Sequence, residues 1–150
     1  MTWRRPATLT ALLVALVACA APAPRALHLG TDQCAHCHMT LADARYAAQL
    51  ITTSGKTFVF DDPGCLAAFY AGGEVPRDKV GSVWVNNYLA PGDWLDARTA
   101  VFIHAPGLRT PMASGLAAVR PGAEADSLRA ALGGTVLTWD AVVARQRSGV

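Results

Sequence analysis

Residues 46–73, YAAQLITTSGKTFVFDDPGCLAAFYAGG, decide the fold class. Tyr46 to Thr53 and Lys56 to Phe60 are short runs rich in β-branched and aromatic residues, and Ser54-Gly55 between them is a two-residue hairpin signal. Asp61-Asp62-Pro63-Gly64 then supplies a capping carboxylate followed by a proline, whose fixed φ suits the first helical turn. The helix it opens, Cys65 to Ala71, stops at Gly72-Gly73. Val80 to Tyr88, with Val83 and Val85 alternating around Trp84, returns as a strand. The order is strand, strand, helix, strand.

Working outward, the C-terminal half repeats that order. Ala100 to His104 and Gly115 to Val119 form strands, a helix runs from about Ala123 to Leu132 and stops at Gly133-Gly134, and Thr135 to Thr138 returns. Trp139 to Arg147 adds a last helix. The expected fold is α+β, built from two ββαβ units at about residues 45–89 and 99–140. Identity between the halves is slight, so the repeat is one of pattern.

The N-terminal nineteen residues set the chemistry that is admissible. Arg4 and Arg5 precede an apolar run, Ala7 to Ala18, that is too short to span a bilayer, and Cys19 follows at once. Residues 1–18 have the form of a signal peptide, and Leu16-Val17-Ala18-Cys19 resembles a bacterial lipobox, which would make Cys19 the lipidated first residue. The expectation is Sec export to a periplasm-facing position, with Pro22 and Pro24 in a short tether over residues 19–33 and one domain over 34–150. Ala20 lacks the aspartate linked to inner-membrane retention, which leans toward the outer membrane. Loss of Arg4 and Arg5 brings thirteen basic residues to eleven, against eleven acids. With no net charge and no basic patch, nucleic acid is not an expected partner.

Four cysteines less Cys19 leave three, Cys34, Cys37 and Cys65, an odd number that weakens any disulfide-scaffold reading. Two of them fall in Cys34-Ala35-His36-Cys37-His38-Met39. This segment satisfies C-x-x-C-H, the haem-attachment signature, with Met112 available as a distal ligand. The strand-rich remainder argues against haem, because small c-type cytochromes wrap haem in helices. Zinc needs two further donors, from among His36, His38, His104 and Cys65, and no second knuckle supplies them. A thiol-disulfide oxidoreductase places C-x-x-C after a strand and at a helix start, whereas here it precedes the first strand.

Soft-metal binding alone employs Met39 as well as the thiols. Thiolate and thioether sulfurs are polarizable donors that favour Cu(I). If Cys37-His38-Met39 is extended, Cys37 and Met39 share a face with Cα atoms roughly 6.5 to 7 Å apart, at about 3.3 Å per residue. Beyond the leader the methionines are Met39 and Met112. Met112 lies in the turn-rich Thr110-Pro111-Met112-Ala113-Ser114-Gly115, a poor position for core filling. The expected site is Cys37, Met39 and Met112 around Cu(I), with Cys34 or an imidazole as an additional or exchanging ligand. Because the thiol must deprotonate to bind, affinity should fall in acid.

Taken together, the lipobox, C-x-x-C-x-M at Cys34, Cys37 and Met39, Phe60-Asp61-Asp62-Pro63-Gly64-Cys65, Thr110-Pro111-Met112, and Gly133 to Leu137 resemble the NosL family of nitrous oxide reductase accessory proteins. The resemblance implies a topology similar to organomercurial lyase and a copper-binding lipoprotein that carries Cu(I) to the copper centres of nitrous oxide reductase. Two positions depart from the family pattern: His38 where a small residue is usual, and Ala113 where glycine is.

Other conspicuous residues have plainer explanations. Asp61 and Asp62 suit a cap and turn before a helix. Trp84, Trp94 and Trp139 suit core or interface roles, Cys65 a small buried hydrophobe, and His104 a structural position on its strand. No nucleophile, base and orienting group occur together in a motif, so an enzyme is not expected.

Overall fold

The computed structural model describes Met1 and residues 20–148; the expected signal peptide and the Cys19 lipidation site lie outside the described residues. The opening stretch folds as a hairpin, β1 (Ala48–Thr52) and β2 (Thr57–Phe60), with Ala48 opposite Phe60 and Leu50 opposite Phe58. Its loop has three residues rather than the expected two. Thr52 N bonds Lys56 O at 2.9 Å, Gly55 N bonds Thr52 O at 2.9 Å, and Gly55 takes φ 89°, which makes it the bulge glycine of a type I turn. Helix α1 (Pro63–Gly72) follows after two residues. Asp62 caps it, Pro63 occupies its first turn, and Gly73 ends it at φ 79°.

Strand β3 (Val80–Asn86) comes back antiparallel to β1, with Gln49 opposite Trp84, so β1 is central and buried along its whole length. A short strand absent from the sequence reading, β4 (Trp94–Asp96), extends the sheet, giving the order β2-β1-β3-β4. The second half contributes β5 (Val101–His104), β6 (Leu116–Val119), α2 (Ala123–Leu132) and β7 (Thr135–Leu137), in the sheet order β6-β5-β7. In each sheet the first strand of its half is flanked antiparallel by the other two. Helix α3 (Trp139–Arg147), capped by Thr138, closes the described chain against α1.

One buried apolar cluster joins the halves. Leu50, Phe60, Leu66 and Val83 from the first meet Phe102, Trp139 and Val142 from the second. Trp139 packs in tilted contact with Tyr70 of α1 at 5.2 Å and with Phe102 of β5 at 6.0 Å between ring centroids. Trp84 and Trp94 are half-buried at the first sheet. No helix among the described residues is long and apolar enough to cross a membrane.

The expected tether is docked from Pro22 onward. Gln49, wholly buried on β1, donates to Arg25 O at 2.7 Å and accepts from Arg25 N at 3.0 Å, pairing with the chain as a further strand would. Ser82 Oγ and Trp84 Nε1 both donate to Pro22 O, at 2.6 and 2.9 Å. Arg25 and Asp32 then close a bidentate pair at 2.8 and 2.9 Å, which holds the Asp32 carboxyl below the usual range. These bonds deliver the chain in fixed register to Cys34.

Candidate metal centre

The C-x-x-C-H-M segment closes on itself. Cys34 N donates to Met39 O at 2.8 Å, His38 N to Cys34 O at 3.0 Å, and Gln33 bridges Thr40. The extended run expected over Cys37–Met39 therefore does not form, and the Cα spacing derived from it no longer applies. His38 adopts φ 64°, which turns the chain inside the segment. Ala35 N donates to Val59 O at 2.8 Å, pinning this knuckle to the end of β2, immediately before Asp61.

The hairpin, the cap and the knuckle thus converge. One donor atom each from Cys34, Cys37, Asp61 and Cys65 lies within 4.8 Å of the others. A tetrahedral ion with metal–sulfur bonds of about 2.3 Å wants sulfurs about 3.8 Å apart, so these donors need to draw in by roughly 1 Å at most. Cys34, Cys65 and Asp61 are buried and Cys37 is half-buried; all three thiols are unpaired. The Cys37 thiol donates to both Asp61 oxygens, at 3.4 and 3.5 Å.

The three thiols differ electrostatically. Cys34 is the thiol whose pKa is lowered: the neighbouring Cys65 thiol favours its thiolate most, and the N–H groups of Cys37, Asp61 and His36 help, against burial. Cys65 is raised for the reciprocal reason, since it is the donor, and by its burial. Burial, more than the neighbouring Cys34 thiolate, pushes Cys37 up. Cys65 also sits in the first turn of α1, where the helix dipole favours negative charge. The result is one thiolate and two thiols that release protons when an ion supplies positive charge.

Of the residues expected in the site, Cys34 and Cys37 come together here. Met39 and Met112 are 58% and 43% exposed. The Met39 carbonyl braces the knuckle. Met112 lines a cavity with His36, Gly64, Cys65, Ser114 and Gln146, so its loop reaches the mouth beside Cys65. Sequence reasoning missed Cys65 and Asp61 as members. Asp62 does act as the cap, whereas Asp61 faces the thiols. The signal available was that Phe60-Asp61-Asp62-Pro63-Gly64-Cys65 joins a strand end to a helix start, where donors cluster.

Covalent haem attachment needs both cysteines on an open face. Cys34 is 1% exposed and faces Cys37, Asp61 and Cys65, so the C-x-x-C-H signature serves the knuckle. Nor does the motif open a helix, as a thiol-disulfide oxidoreductase requires. His104 is half-buried on β5, lining a separate cavity with Arg145; burial lowers its imidazole and the Arg145 charge adds to this.

His38 and Ala113 are the non-glycine residues with positive φ among the described residues, at 64° and 56°. Left-handed backbone crowds a Cβ, at a cost of about 1–2 kcal/mol, which histidine tolerates better than alanine. Ala113→Gly should therefore stabilise the metal-free protein by about 1 kcal/mol, part of the relief being offset by glycine's freedom when unfolded. Urea unfolding measures this, and a loss of stability would contradict the assignment of strain.

Comparison with known proteins agrees with the architecture. The crystal structure of the copper chaperone NosL from Shewanella denitrificans superposes with a TM-score of 0.68 at 18% identity, over 79% of this chain and 94% of that one. No curated protein matches the sequence. The family profile described as NosL matches residues 26–146, from the docked N-terminal segment through nearly all of α3. The chain belongs to the NosL family.

Proposed function

We propose that this protein is a metallochaperone, not an enzyme, that carries Cu(I) between the thiols of Cys34, Cys37 and Cys65 and the thioether of Met112, and passes it on through the exposed thioethers of Met112 and Met39. The observation that carries the reading is the convergence of three unpaired thiols at the start of α1. Family membership and a structural neighbour named as a copper chaperone support it. Soft donors favour a monovalent copper ion over oxygen-loving cations. Transfer suits a site with buried thiols on one side and exposed sulfurs on the other, because an incoming ligand can displace donors one at a time. The client proposed is nitrous oxide reductase, and lipidation at Cys19 would confine the search to a periplasm-facing membrane surface.

Asp61 gives zinc a specific claim, since three thiolates and a carboxylate form a familiar tetrahedral set. The two readings separate by experiment. Anaerobic competition titration with X-ray absorption on the loaded protein should show Cu(I) held in a sulfur-dominated shell that loses one sulfur in Met112→Leu. Preference for Zn(II), or a shell of nitrogen and oxygen alone, would sink the copper reading; an unchanged sulfur count in the variant would remove Met112.

A further inference from the structure

Asp62 is wholly buried, and its two carboxylate oxygens serve different parts of the chain. Oδ1 accepts from Gly64 N at 2.7 Å, capping the helix that carries Cys65. Oδ2 accepts from Met112 N at 3.0 Å, in a loop of the second half of the molecule. A neutral side chain of the same shape offers one acceptor in that geometry, whereas the carboxylate offers two.

Beside this bond the two segments touch without a gap. A Cβ placed on Gly64 would stand 2.7 Å from the Cβ of Ser114, so loop 110–115 rests on bare backbone at the first turn of α1. The loop is internally braced: Ala113 N donates to Thr110 O at 3.0 Å, Gly115 N to Thr110 Oγ1 at 3.3 Å, and the Thr110 and Ser114 hydroxyls lie 3.3 Å apart. These bonds fix the loop's own shape, so the placement of Met112 depends on how the loop is seated.

We infer that Asp62 and Gly64 form a seat for the Met112 loop, making Asp62 a positioning residue that sets the thioether over the thiols by acting on the backbone of Met112. The inference rests on the reading of Met112 as a copper donor. The cap that places Cys65 and the bond that places Met112 come from one side chain, so donors from the two halves are held in a single mutual geometry. Preorganisation of this kind strengthens binding because the ion does not have to gather its ligands.

The test is a double-mutant cycle on Cu(I) affinity, by competition with a chromogenic chelator, using Asp62→Asn, Met112→Leu and the pair. Supporting bonds of this type change metal affinity about 10–100-fold, and Asp62→Asn should weaken Cu(I) by at least the lower figure. That loss should shrink in the Met112→Leu background, where no thioether is left to position and only the cap beneath Cys65 is weakened, while urea stability falls equally in both backgrounds. Equal affinity losses in both backgrounds would reduce Asp62 to a helix cap and overturn the seat alone. Unchanged affinity in Met112→Leu by itself would overturn the seat together with the reading beneath it. Should Asp62→Asn fold poorly, Gly64→Ala keeps the carboxylate and unseats the loop instead, its Cβ meeting Ser114 Cβ at 2.7 Å and the capping Asp62 Oδ1 at 3.0 Å. It should show the same background-dependent loss, and its absence would equally overturn the seat.

Discussion

Cys65→Ala is expected to weaken Cu(I) binding by about two orders of magnitude while leaving the fold intact. The scale is borrowed from structural zinc sites, where apparent binding free energies on the order of 10–16 kcal/mol are shared among four ligands, roughly 3 kcal/mol each, or about a hundredfold in affinity. Alanine fills nearly the same small apolar space, and Cys65 is 4% exposed, so a purely structural cysteine would tolerate the change. The substitution has a second consequence through Cys34, whose thiolate is favoured chiefly by the Cys65 donor. Without that donor the Cys34 pKa rises toward its ordinary value or above it, because burial then acts unopposed by its main counterweight. Near neutral pH loading then releases two protons in each protein, from Cys37 and Cys65 in the parent and from Cys34 and Cys37 in the variant, so the deficit should stay level there and narrow in acid, where Cys34 of the parent also takes up a proton. Competition titrations at mildly alkaline and mildly acid pH measure both effects. Affinity equal to the parent at both would show that Cys65 is only a small buried hydrophobe.

The largest stability loss should come from Trp139→Ala, at about 3–5 kcal/mol by urea unfolding. Against a typical total of about 5–15 kcal/mol, that is at least about a fifth of the stability. The reason is its place at the junction: it is 3% exposed, begins α3, and packs between Tyr70 of α1 and Phe102 of β5. The effect should extend to the site, because Gln146 at the far end of α3 lines the cavity shared by Cys65 and Met112. A loss below about 1 kcal/mol would mean that the halves are joined mainly elsewhere.

Much of the chain was legible because its signals are local. The cap at Asp62 with Pro63, the glycines that end α1 and α2, and the alternation around Trp84 each act within a few residues, so the strands and helices around them formed as expected. Strand β4 was not legible. Three residues carry no period of their own, and Trp94–Asp96 is extended because the outer edge of β3 pairs with it. The docked segment from Pro22 to Asp32 was misread for a similar reason: proline and alanine composition suggests a tether, and only the buried Gln49 side chain across the sheet shows otherwise.

By itself, the sequence determined the α+β class, the family, and the two cysteines of the knuckle, since each follows from residue order and short-range backbone preference. Tertiary structure alone decided that Cys65 and Asp61 join those cysteines, that Cys34 is the thiol readiest to ionise, and that Met112 is bonded to Asp62. Which sulfurs meet, and which ionises, depends on burial and on hydrogen bonds between segments far apart in the chain. Those quantities exist only once the two sheets have packed together.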